Sequence, residues 1–156
     1  MTTMMSRKLL PTLLLIVLSL GASACRILGP DDPASPQTEE NRAVWDAIQT
    51  GTYDYELFRG CFCGHSGWFV VDVVDDRISH VRGRDTDQVI PVEDYDQFWT
   101  IDDLFDLIDE ADADADDLEV TWSDTGWPVK IDIDWIRGAV DDELVVEVAN
   151  VQIPLQ

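Results

Sequence analysis

The stretch Tyr53-Asp-Tyr-Glu-Leu-Phe-Arg-Gly-Cys-Phe-Cys63 alternates along its length: Tyr53, Tyr55, Leu57, Cys61 and Cys63 are aromatic, apolar or sulfur-bearing, and Asp54, Glu56 and Gly60 fall between them. A period of two predicts a strand with one buried face. Its end carries the densest chemistry in the chain, two cysteines followed closely by His65.

Working outward, Trp68 to Gly83 reads as a hairpin. A two-residue turn at Asp75-Asp76 pairs Val74 with Arg77, Val73 with Ile78 and Val71 with His80, so that Phe69, Val71, Val73, Ile78 and His80 share a face. Upstream, Thr38-Glu-Glu-Asn41 offers an N-cap and an acidic first turn, Val44, Trp45 and Ile48 recur at helical spacing, and Gly51 stops the helix. Arg84 to Trp99 is polar and irregular, with Pro91 inside it. Thr100 then caps a second helix: Asp103 stands at the capping-box position, and Ile101, Leu104, Phe105, Ile108 and Ala111 recur at three and four. The acidic run Asp109 to Asp117 lies at the negative end of that helix dipole, where fraying is expected. Its Asp112-Ala-Asp114-Ala-Asp116 fails as a calcium loop, because Asp117 stands where glycine is required and Ser123 where glutamate is.

Three further strands follow, Leu118 to Trp122, Trp127 to Trp135 and Glu143 to Ile153. The last has Leu144, Val146 and Val148 on one face but Val151 and Ile153 on the other, which calls for either a bulge or burial on both sides. Each half thus runs helix, strand, strand, strand. Ser66-Gly-Trp68 with Val71-Asp-Val73 echoes Thr125-Gly-Trp127 with Ile131-Asp-Ile133, the two matches standing 59 and 60 residues apart. The expected fold is α+β: a six-stranded antiparallel sheet with two helices on one face, for which duplication of one helix-strand-strand-strand unit is a candidate origin.

Residues 1–24 read as an export signal: Arg7 and Lys8 open it, Leu9 to Leu20 is largely apolar, and Ala22-Ser-Ala24 is a small-residue cleavage site. Cys25 follows directly, and Leu20-Gly-Ala-Ser-Ala-Cys25 resembles a bacterial lipobox, in which that cysteine is acylated. Ordinary signal-peptidase cleavage at Ala-Ser-Ala is the alternative. Arg26 after the cysteine, where the inner-membrane retention signal has aspartate, favours the outer membrane. Residues 25–37, with Gly29, Pro30, Pro33 and Pro36, read as a tether, and 38–156 as one domain.

Formal charge is -22, from 32 acids against 10 lysines and arginines. No nucleic-acid partner is expected of such a surface. Its acidity suits either a saline habitat or a cationic partner.

Tyr53-x-Tyr55 running into Cys61-Phe-Cys63, Thr100-Ile-Asp-Asp-Leu-Phe105, and Asp124-Thr-Gly-Trp-Pro128 followed by Ile131-Asp-Ile-Asp134 together resemble a family of exported bacterial proteins. Many of these are lipoproteins, and the family carries only a domain-of-unknown-function label. The resemblance implies an exported α+β domain and supplies no activity or catalytic residue.

The chain has two histidines, His65 and His80, and neither stands in a nucleophile motif. No enzymatic activity and no cofactor are therefore expected. Cys61, Cys63, His65 and His80 are candidate metal ligands by residue type, but Cys-x-Cys-x-His is not a standard zinc spacing and no metal is expected. Once Cys25 is acylated, Cys61 and Cys63 are the two thiols left in an oxidising compartment and are expected to pair. In an extended strand, Cα atoms two residues apart are roughly 6.5 Å from each other, so the strand must kink or end there. Trp68 and Trp127 either line a binding groove or cap the core edge. The expected function is a non-catalytic binding or scaffolding domain of the cell envelope, anchored to the membrane at Cys25, with an unknown protein or small-molecule partner. Thiol-disulfide or metal handling through Cys61 and Cys63 is the alternative.

Overall fold

A computed structural model describes residues 35–139 and 141–154. The signal, Cys25 and the tether up to residue 34 lie outside the described residues.

The elements in order are α1 (Pro36–Asp46), β1 (Tyr53–Gly60), β2 (Gly67–Val74), β3 (Arg77–Gly83), a short 3-10 helix (Val92–Gln97), α2 (Ile101–Asp114), β4 (Asp117–Trp122), β5 (Pro128–Asp134) and β6 (Glu143–Gln152). They form one sheet in the order β3-β2-β1-β6-β5-β4, antiparallel throughout. Both helices lie on one face of it, tied to each other by Arg42, whose Nη2 donates to Asp109 Oδ2 at 2.8 Å and to Asp106 Oδ1 at 3.1 Å. The expected fold class is the one observed. The helix-strand-strand-strand order also repeats, but the repetition stops at order: β1 and β4 run in opposite directions, so laying one triplet on the other would carry its helix to the opposite face.

Helix α1 begins earlier than its acidic turn implies. Ser35 is the N-cap, its hydroxyl accepting from Thr38 N at 3.2 Å, and Pro36 occupies the first turn, where a missing N–H costs nothing. Thr38 is buried one turn inside. Of the apolar residues expected to face the core, Trp45 is fully buried, whereas Val44, within the helix, and Ile48, beyond its end at Asp46, stay exposed.

Helix α2 has the expected capping box, with Thr100 N donating to Asp103 Oδ2 at 2.8 Å and Asp103 N donating to Thr100 Oγ1 at 3.1 Å. All five of its periodic apolar residues are buried. Two tyrosines of β1 fasten the helix start: Tyr53 Oη accepts from Ile101 N at 3.0 Å, satisfying an orphan donor of the first turn, and Tyr55 Oη donates to Trp99 O. Burial pushes both phenols well above their ordinary pKa, so both stay protonated. Thr100→Ala should cost about 1 kcal/mol in urea denaturation; a change below the error of the fit would mean the cap contributes nothing.

Three register shifts interrupt the ladders, in β2–β3, β1–β6 and β4–β5, and the first two decide which of the expected residues face the core. At Asp75-Asp76 both residues have positive φ, 52° and 60°, as the expected two-residue turn requires. Val74 pairs with Arg77 and Val73 with Ile78 as expected, but Asp72 pairs with His80 and Val71 with Val81. The extra residue turns His80 out to the open face opposite Asp72, and Val81 fills the core place expected for the histidine. In β6 the ladder passes from Glu56↔Ala149 to Asp54↔Gln152, three residues against two, with Asn150 at φ 52°. That bulge brings Val151 and Ile153 back against the same core as Val146 and Val148, so burial on both sides is not needed.

Carboxyl pKa values are raised from the ordinary value at Asp54, Asp102, Asp109 and Asp134, first by burial and then by neighbouring acids such as Asp72 beside Asp54 and Asp142 beside Asp134. Asp109 is raised by burial even though the Arg42 guanidinium pulls it down. A raised carboxyl takes up its proton more readily folded than unfolded, so stability increases as pH falls from neutral toward about 4, the unfolded value. Salt acts in the same direction by screening the acids, since about 0.1 M already shortens the screening length to about 10 Å. The melting temperature is therefore expected to be higher at pH 5 than at pH 7.5, and to rise with sodium chloride at pH 7.5. A flat or falling response to both would contradict this.

Candidate functional site

Strand β1 ends at Gly60, and the chain turns through Cys61 to Ser66 before β2. Cys61 and Cys63 are joined there, their Cα atoms 5.3 Å apart, which the end of the strand permits. Phe62 between them is 83% exposed. His65 does not join a ligand set: its Nε2 is 3.3 Å from Asp94 Oδ2, and its ring lies against Phe98, centroids 5.7 Å apart. His80 is on the opposite face of the sheet. Among the described residues, no group of three or more His, Cys, Asp and Glu side chains is placed to hold a metal ion.

The tip rests on Arg59, which the alternation of β1 places inward. Its side chain is 5% exposed, with the guanidinium carbon 5.1 Å from the Phe98 ring centroid and 5.0 Å from that of Trp99. Nη1 donates to His65 O at 3.0 Å, and Ser66 Oγ donates back to Arg59 O at 3.0 Å. No carboxylate pairs with Arg59 among the described residues, and burial lowers its pKa. Two aromatic faces and a carbonyl do the stabilising instead. The guanidinium thus braces the loop that carries the disulfide.

Trp68 and Trp127 do not line one groove. Trp68 lies on the open face, 5.4 Å from Phe58 and under the Arg84 guanidinium at 4.3 Å, which also meets Glu56 at 3.2 Å. Trp127 lies on the helix side, edge-on to Trp45 at 6.2 Å. Their neighbours in sequence match, but the sheet stands between them.

A further concavity lies elsewhere. A cleft of about 620 Å³ runs between the β2–β3 turn, the end of the 3-10 helix and the outward face of α2. Ile78, Tyr95, Trp99 and Leu107 give it an apolar floor, and Asp76, Asp96, Asp103, Asp106 and Glu110 surround it, with Arg77 as the one cation among the described residues that line it. No reading of the strands alone finds this cleft. Its helical wall is legible as Asp103, Asp106, Leu107 and Glu110, spaced three, four and seven along one face of α2.

Residues 37–153 match a family of unknown function, DUF6174. The chain belongs to that family. The match takes in every strand, α2 and all but the first residue of α1, so the DUF6174 domain and the folded domain coincide. Neither the curated proteins nor the solved structures contain a match. Both the disulfide tip and the α2 cleft fall inside the DUF6174 domain, whereas Cys25 precedes it.

Proposed function

We propose that this DUF6174 chain is an exported binding domain of the bacterial cell envelope, anchored by lipid on Cys25 and catalysing no reaction. The observation that carries the binding reading is the α2 cleft. Its volume falls in the range of ligand sites, and it offers an apolar floor ringed by fixed polar groups. Its lining contains no histidine or cysteine, and the Thr100 hydroxyl is committed to the helix cap. Among the described residues, a serine or cysteine nucleophile with a histidine base is therefore not assembled there. The export reading rests on the signal-like residues 1–24 and the lipobox-like approach to Cys25. A joined Cys61 and Cys63 accords with an oxidising compartment. Arg26 after the anchor cysteine favours the outer membrane.

The test is fractionation. Wild-type chain should sediment with outer membranes and Cys25→Ser should be released to the soluble fraction. Equal partitioning of the two would remove the anchor.

A second reading, thiol-disulfide exchange, is favoured by one observation: the Cys61–Cys63 bond sits at an exposed tip beside Phe62 and closes a loop of one residue. So short a loop removes little entropy from the unfolded chain, so the bond is weakly held against reductants. Replacing both cysteines with serine separates the readings. A change in stability alone supports the binding domain, and a redox signal lost with the fold intact supports exchange.

A further inference from the structure

We propose that the α2 cleft takes a cationic amphipathic peptide segment, apolar in its middle and positive at two points about 10 Å apart. This rests on the reading of the domain as a binding module and names the class of its ligand. The floor is what makes the cleft a groove. Ile78, Tyr95, Trp99 and Leu107 pack against the core from below and remain partly open to solvent above. An occupant must cover them with apolar atoms to gain from burial.

The rim supplies the charge argument. Asp103 and Glu110 stand two turns apart on α2, about 10 Å along its axis at 1.5 Å per residue. Among the described residues Asp106 is paired with Arg42, while Asp76, Asp96, Asp103 and Glu110 have no ion-pair partner, Asp103 being held only by the neutral N–H and hydroxyl of Thr100. A neutral apolar ligand would bury the rim carboxylates against nothing, which is costly. A bare polyamine would satisfy the rim and leave the floor wet. A peptide with a basic residue at each end of an apolar pair meets both demands: three residues of extended chain span about 10 Å, and although the two basic side chains leave it on opposite sides, their long flexible stems carry the charges back to one rim.

The experiment titrates the full mature chain, held in non-ionic detergent, with a capped tetrapeptide of two leucines flanked by lysines. Saturable binding is expected at low salt. It should weaken about tenfold with Asp103→Asn and Glu110→Gln combined, the asparagine oxygen still able to accept from Thr100 N, weaken as salt is raised, and be unmoved by Glu119→Gln, an exposed acid on the open face. Equal binding of the analogue with glutamine at both ends would overturn the charge assignment while leaving a binding cleft. Equal binding of spermine would overturn the amphipathic assignment. An equal loss with Glu119→Gln would reduce the effect to the net charge of the chain and overturn the site. Binding by none of the three probes would overturn this inference together with the cleft as the site of binding.

Discussion

Replacing Trp45 with alanine is expected to destabilise the domain by about 3–5 kcal/mol, the range for removing a fully buried large aromatic side chain. Trp45 is the large apolar residue by which α1 enters the core, at 0% exposure. It meets Tyr53 edge-on at 5.2 Å and 89°, and Trp127 at 6.2 Å and 85°. Without it, α1 keeps the Arg42 ion pairs and the Arg42 guanidinium over Phe105 at 4.9 Å. Those contacts are partly solvated and worth little. An isolated helix of 11 residues does not hold together in water. The variant should therefore lose helical circular dichroism as well as stability in urea. A loss under about 1 kcal/mol with unchanged helicity would mean that α1 is held by its surface contacts.

Gly126→Ala should be costly although it adds a single methyl group, by about 2–4 kcal/mol from strained φ and overpacking together. Gly126 has φ +96°, and a Cβ there would lie 2.5 Å from Asn41 O and 2.7 Å from Trp45 N. Both are backbone atoms of α1, so no rotamer change relieves the contact; the helix itself must move. Trp45→Ala and Gly126→Ala thus damage the same interface from its two sides. The double variant should be less destabilised than the sum of the singles, with α1 already released by either. Strict additivity in urea denaturation would show that the two residues act separately.

The parts of the fold legible in the sequence are those set by local rules. Thr100 and Asp103 announce the start of α2 through a capping box that needs no tertiary partner. Asp75-Asp76 announce the hairpin because both tolerate positive φ. The bulges were harder, since a period of two tells that Val151 is out of phase with Val148 but does not say where the extra residue sits; Asn150, tolerant of positive φ, was the available signal. Ser35 was masked by the more familiar Thr38-Glu-Glu pattern, and Pro36 was the mark that the helix begins earlier. Arg59 stands at an inward position of β1, but a guanidinium reads as solvated until Phe98 and Trp99, forty residues on, are seen to enclose it. For the same reason the Trp68 and Trp127 motifs could not be told apart: each follows a glycine, and only the packing of α1 on the Gly126 turn puts one tryptophan inside and leaves the other on the open face. The α2 cleft depends on where the β2–β3 turn and the 3-10 helix meet the helix, a relation no single stretch encodes.

Intact-mass spectrometry of the chain purified unreduced from the membrane fraction tests the central claim most directly. The account predicts a chain that begins at Cys25, carries a diacylglyceryl adduct on that residue, and is two hydrogens lighter than the reduced form because Cys61 and Cys63 are joined. A mass corresponding to an unmodified Cys25, or to a chain that still begins at Met1, would contradict an exported, lipid-anchored domain.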